Sequence, residues 1–143
     1  MIRCIGTYFI YDYYMKKILI EISAGELLDK ISILEIKLNK IKDEKSLDSI
    51  NKEYQILIDQ KNKNIIQSKD IDALYSDLKS INEKLWIIED EKRLCEKNSN
   101  FKEKFIQLSR EVHFMNDKRA QIKSRINQAL KSNIKEIKQY TKY

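Results

Sequence analysis

The chain contains no proline and only two glycines, Gly6 and Gly25, among its 143 residues. An all-β sandwich or barrel needs a turn about every 8–12 residues, and proline and glycine are the usual means of making one. So few of them confine the chain to a small number of long elements. The length suits one domain with a core of its own. Cys4 and Cys95 offer a single pairing far apart in sequence, which excludes a disulfide-stapled secreted fold. No apolar run reaches the roughly 18 residues needed to span a bilayer. The sequence therefore predicts a cytoplasmic, all-α domain.

Apolar spacing locates the helices. Lys17–Ile22 is short and β-branched, as in one strand or an extended lead-in. Ser23 and Glu26 have capping-box spacing, so a first helix is predicted to start there, with the seam Leu27, Ile31, Leu34, Leu38, Ile41. Asp43 or Ser46 caps a second helix with a weaker seam, Leu47, Ile50, Tyr54, Leu57. Ser68 or Asp70 caps a third, whose seam runs Ile71, Leu74, Leu78, Ile81, Leu85, Ile88, Lys92, Cys95. After a break at Lys97–Asn100, Asn100 and Glu103 repeat the capping spacing. The fourth seam then runs from Phe101 through Leu108, Arg119 and Ile126 as far as Ile137.

Helices that long need partners along most of their length, at 1.5 Å per residue. The predicted architecture is an antiparallel helical bundle of two long, coiled-coil-like hairpins behind a short N-terminal extended segment. Helices three and four fold back at Ser99, so facing residue numbers sum to about 199. The far end of helix four outruns such a bundle unless a second subunit covers Ile126, Leu130, Ile134 and Ile137, so a homodimer is expected.

Residues 1–14 differ from the rest, with four of the eight tyrosines and one charge of each sign. They make a poor signal peptide, because tyrosines and Asp12 interrupt the apolar stretch and no small-residue cleavage site follows. The expected organisation is an extension over 1–14 and a single helical domain over 15–143 with a basic C-terminal end. The net charge of +6 belongs to that end. Residues 118–143 hold eight bases against Glu136 alone, whereas 1–117 hold 20 bases and 21 acids. This segment reads as a solvated helix and frayed tail, or as an arm tracking phosphates with help from Tyr140 and Tyr143. No module for sequence-specific nucleic-acid recognition is present.

Metal and nucleophile chemistry finds little footing. His113 is the only histidine and the cysteines lack metal-ligand spacing. The Glu89-Asp90-Glu91 cluster has Lys92 and Arg93 at the offsets from Glu89 where a magnesium nest would place carboxylates, so it reads as an ion-pair ladder. No metal or cofactor is expected. One constellation stands out. Beside the third seam runs a heptad-spaced polar row, Asn82, Trp86, Glu89, Arg93 and Glu96. Helix four carries Ser109, Asn116, Lys123 and Asn127, with Arg119 directly in its apolar seam; off the first seam stand Lys30 and Glu35. A charge in a seam is costly unless paired, so Arg119 calls for a carboxylate or a bound anion. Two readings stand: a buried network that fixes register, or a ligand pocket of Asn82, Trp86, Glu89, Arg93, Asn116, Arg119 and Lys123.

From Met15 to about Lys138 the chain resembles an uncharacterised family of small bacterial proteins, a domain of unknown function. The resemblance rests on Ile22-Ser23-Ala24-Gly25-Glu26-Leu27-Leu28-Asp29-Lys30-Ile31, on Asn82-Glu83-Lys84-Leu85-Trp86 with Glu89-Asp90, and on Asn116-Asp117-Lys118-Arg119-Ala120 with Lys123 and Asn127. It implies no activity.

The preferred functional reading is a non-enzymatic bundle mediating protein–protein interaction or assembly. The first alternative is a small metal-independent all-α enzyme or ligand-binding protein for a phosphorylated or carboxylated molecule. There Arg119, Arg93 and Lys123 would clamp the anion, Glu89 act as acid–base or orienting group, and Asn82 and Asn116 donate hydrogen bonds. The second alternative is nonspecific polyanion binding by the basic C-terminal helix.

Overall fold

A computed structural model describes residues 18–139 as an extended lead-in followed by four helices. These are α1 (Ala24–Lys40), α2 (Glu44–Asn64), α3 (Lys69–Lys97) and α4 (Glu103–Ala129). No strand occurs among the described residues, and residues 18–22 are an extended lead-in. The proposed extension over 1–14 lies outside the described residues, as do Tyr140 and Tyr143.

Local chemistry sets the helix starts. Ser23 takes an extended conformation and its Oγ accepts the Glu26 N–H at 3.2 Å, capping α1. Asp43 caps α2 and Ser68 caps α3, each accepting the N–H three residues on. The fourth start is a correction. Asn100 accepts the Lys102 N–H at 3.4 Å instead of capping, and α4 begins at Glu103 with Lys102 as an N-cap that makes no side-chain bond.

α3 and α4 form the antiparallel hairpin, about 43 and 40 Å long at 1.5 Å per residue over 29 and 27 residues. Glu91 meets Lys104 at 2.9 Å, within about one helical turn of the expected register. α1 lies against the half of this hairpin remote from its turn and packs on α2 with its other side. Being flanked by three helices buries α1 well beyond its heptad seam: Leu28, Ile31 and Ser32 are wholly enclosed, and Asp29 and Ile36 nearly so. Leu28 and Ile31, with Leu27, meet Ile71, Leu74, Leu78, Ile122 and Ile126 in the main core.

α2 has no buried residue and rests Tyr54, Leu57 and Ile58 on that core. Its polar attachments to α1 are Glu35, which accepts the Tyr54 hydroxyl at 3.3 Å and pairs with Lys79 of α3 at 2.8 Å, and an exposed Lys30–Glu53 pair at 3.9 Å. Toward the hairpin turn α1 no longer covers the pair. A smaller core of Ile88, Cys95 and Leu108 remains there, and Ile87, Leu94, Phe101 and Ile106 stay exposed.

The end of α4 corrects the sequence reading. The helix stops at Ala129 instead of running to Ile137. Lys131 turns into the left-handed region at φ 51°, the Ser132 N–H reaches the Asn127 carbonyl at 2.9 Å, and the Lys131 N–H reaches that of Gln128 at 3.2 Å. This is a Schellman closure without glycine. α3 ends the same way at Ser99, φ 50°, with Asn100 N–H on the Cys95 carbonyl and Ser99 N–H on that of Glu96. The long overhang on which the dimer argument rested is therefore absent. Ile126 is fully covered within the chain and Ser132 and Glu136 bond to α1 and α4, whereas Ile134 and Ile137 stay exposed.

Candidate functional site

The site is built on the crossing of α1 with α3 and α4. Gly25 allows the closest approach: its backbone N–H donates to Asn127 Oδ1 at 2.7 Å. A Cβ there would lie 2.6 Å from the Lys123 carbonyl oxygen. Asn127 Oδ1 also accepts the Ser132 hydroxyl at 3.2 Å, and Ser132 Oγ accepts the Ala24 N–H at 3.0 Å. The first turn of α1 is thus held by the last turns of α4 and the segment after it.

One turn along, Lys123 is 6% exposed and surrounded by carboxylates. Its Nζ lies 2.5 Å from Glu26 Oε2, 3.2 Å from Glu136 Oε2 and 3.5 Å from Asp29 Oδ2. Burial works against the ammonium charge, but these three carboxylates outweigh it and raise its pKa above the usual 10.5. Lys123 is therefore a cationic tie among α1, α4 and the C-terminal segment at neutral pH. Asp29, 4% exposed, accepts the Asn82 Nδ2 at 2.8 Å through its other oxygen. Asn82 Nδ2 also donates to Ser32 Oγ at 2.7 Å, and Ser32 donates to the Asp29 carbonyl.

These bonds fix the Asn82 amide with both hydrogens committed, and its Oδ1, covered from solvent, has no donor. Asn82 borders a cavity of about 480 Å³. Ile33 and Ile36 of α1 line it, with Leu85, Trp86, Glu89, Asp90 and Arg93 of α3 and Arg119 of α4. The Nε of Arg119 is covered and makes no hydrogen bond. Among the described residues, no ion pair joins Arg119, Glu89 or Arg93 to any partner. The carboxylate that a seam arginine calls for is not supplied by its neighbours. A half-buried guanidinium on an apolar-walled cavity is a group able to hold an anion.

Five of the seven candidates, Asn82, Trp86, Glu89, Arg93 and Arg119, therefore border one cavity. The other two do not. Asn116 donates back to the Val112 carbonyl at 2.9 Å, and Lys123 is engaged in the carboxylate cluster. Lys30 and Glu35 also turn elsewhere, to Glu53 and to Tyr54 with Lys79. The sequence reading missed Gly25, Asp29, Ser32 and Ile36. Asp29 and Ser32 flank the predicted seam on α1, and two short polar residues beside the apolar core row are the signal that pointed to them.

Among the described residues no cluster of side chains suits a metal ion, and no helix is long and apolar enough to cross a membrane. Residues 18–143 match a family described as a family of unknown function (DUF6165). No curated protein and no solved structure matches the chain.

Proposed function

The chain belongs to this family of unknown function, DUF6165, and we propose that its α1–α3–α4 cavity binds a small organic anion, with Arg119 as the group that holds the charge. The supporting observation is a guanidinium on the cavity wall whose Nε is covered and unbonded, with no carboxylate within ion-pair distance among the described residues. An ordered anion supplies the acceptor that the fold withholds. The volume lies in the range of small-molecule pockets, about 300–1,000 Å³, and the walls are mostly apolar. Below the cavity, the Asn82–Asp29–Lys123 chain of contacts holds the three helices in place, so the pocket forms before any ligand arrives.

The test is thermal unfolding with hexanoate, benzoate and inorganic phosphate at millimolar concentration. A ligand at 100 times its Kd stabilises the native state by about 2.7 kcal/mol. At least one carboxylate is expected to raise the Tm of the wild-type protein. Arg119→Leu keeps or raises the Tm without ligand, because an unpaired charge leaves an apolar seam, and it abolishes the response. No shift with any of the three anions overturns the proposal. So does a response that Arg119→Leu leaves intact.

A second reading, interaction or assembly, draws on the exposed Ile87, Leu94, Phe101 and Ile106 around the outer half of the hairpin. The polyanion reading is weakened by the engagement of two of the basic side chains: Lys123 and Lys138 are both paired with Glu136.

A further inference from the structure

Resting on that reading of the cavity, we propose that its preferred ligand is an elongated zwitterion: a carboxylate at Arg119, an aliphatic body, and an ammonium at Glu89 and Asp90. The lining carries two cations, Arg93 and Arg119, and two anions, Glu89 and Asp90, so it presents no net charge to a ligand. A simple anion answers Arg119 and leaves two carboxylates, Glu89 and Asp90, facing the single remaining cation, Arg93. A dianion such as a phosphate monoester is also repelled by them.

The order of the groups along the cavity separates the charges. Lys123 reaches Asp29, which holds Asn82, and Arg119 stands one turn farther along α4. The Arg119 side chain shares the cavity wall with Asn82, Leu85 and Trp86 of α3. Glu89 and Asp90 follow one to two turns beyond, about 5–10 Å along the axis. Between the two ends the wall is Ile33, Ile36, Leu85 and Trp86, an apolar surface that suits methylene groups. Arg93 lies a further turn out and is exposed, at the rim.

The experiment compares 6-aminohexanoate, hexanoate and hexylammonium by isothermal titration on the full chain. The zwitterion is expected to bind about tenfold more tightly than hexanoate, the worth of one charge-assisted hydrogen bond. Hexylammonium binds more weakly than either. In the double variant Glu89→Gln, Asp90→Asn the advantage disappears, whereas hexanoate binds at least as well as before. Both side chains face solvent in part and have no ion-pair partner among the described residues, so the variant keeps its wild-type Tm. Hexanoate binding as tightly as 6-aminohexanoate, or an advantage that survives the double substitution, overturns the zwitterion and leaves anion binding at Arg119 standing. If none of the three compounds binds and the carboxylates also fail to shift the Tm, both proposals fall together.

Discussion

Gly25 donates its backbone N–H to the Asn127 side chain across 2.7 Å, which brings the first turn of α1 onto the backbone of α4. A methyl group at position 25 would lie 2.6 Å from the Lys123 carbonyl oxygen and 3.1 Å from its Cα. Both are helix backbone, which cannot rotate aside. Overpacking of this kind costs about 3 kcal/mol, while alanine gains about 1 kcal/mol in helix propensity over glycine. Gly25→Ala is therefore expected to lose about 2 kcal/mol in urea unfolding. A midpoint equal to that of the wild type would mean that α1 and α4 separate freely.

Lys123 and Asp29 make a buried pair whose value lies in completeness. Lys123→Met removes the cation and leaves Asp29, 4% exposed, with the Asn82 amide as its side-chain partner among the described residues. Removing one member of a buried pair costs about 3–5 kcal/mol. Adding Asp29→Asn removes the stranded charge, so the double variant should be more stable than Lys123→Met alone. A double-mutant cycle in denaturant measures this coupling. Strictly additive losses would show that the two side chains do not depend on each other.

The same cluster has a pH signature. Burial tends to raise the Glu136 pKa, but the hydrogen bond to Lys123 and the charges of Lys123 and Lys138 hold it below its usual 4.5. A depressed carboxylate contributes stability that is present above pH 4.5 and is lost as pH falls through the folded-state value. Lys123, raised above 10.5, contributes stability present below that pH and lost as pH climbs past its folded-state value. Glu136→Gln is expected to flatten the acid limb of the Tm-against-pH curve. An unchanged acid limb in that variant would detach the C-terminal segment from α1 and α4.

Two helices end on residues that strain to do so. Ser99 and Lys131 hold φ near +50° in Schellman turns where glycine is the usual occupant. A left-handed conformation costs a residue with a Cβ about 1–2 kcal/mol, part of which glycine returns as unfolded-state entropy. Ser99→Gly and Lys131→Gly should each gain about 0.5–1 kcal/mol by equilibrium denaturation. A loss at either position would mean that its turn is held by side-chain contacts of Ser99 or Lys131.

Much of this fold is written in local chemistry. The absence of proline, the apolar seams and the caps at Ser23, Asp43 and Ser68 act within one or two turns of chain. They determine four helices and the break near Ser99 without reference to any neighbour. The same seams exposed Arg119 as a charge in an apolar row, and heptad spacing alone placed Asn82, Trp86, Glu89 and Arg93 on one face.

Tertiary structure decided the rest. The end of α4 at Ala129 depends on a turn without glycine and on Asn127 being bound by Gly25, a residue more than one hundred positions away. Lys123 and Arg119 lie one turn apart on the same helix, and periodicity put Arg119 in the apolar seam and Lys123 in the polar row beside it without saying which would find carboxylates. α1 places carboxylates around Lys123 and apolar side chains beside Arg119, which makes the first a structural tie and leaves the second without an ion-pair partner among the described residues. A charge belongs to its side chain, but its partner is chosen by whichever helix packs across it.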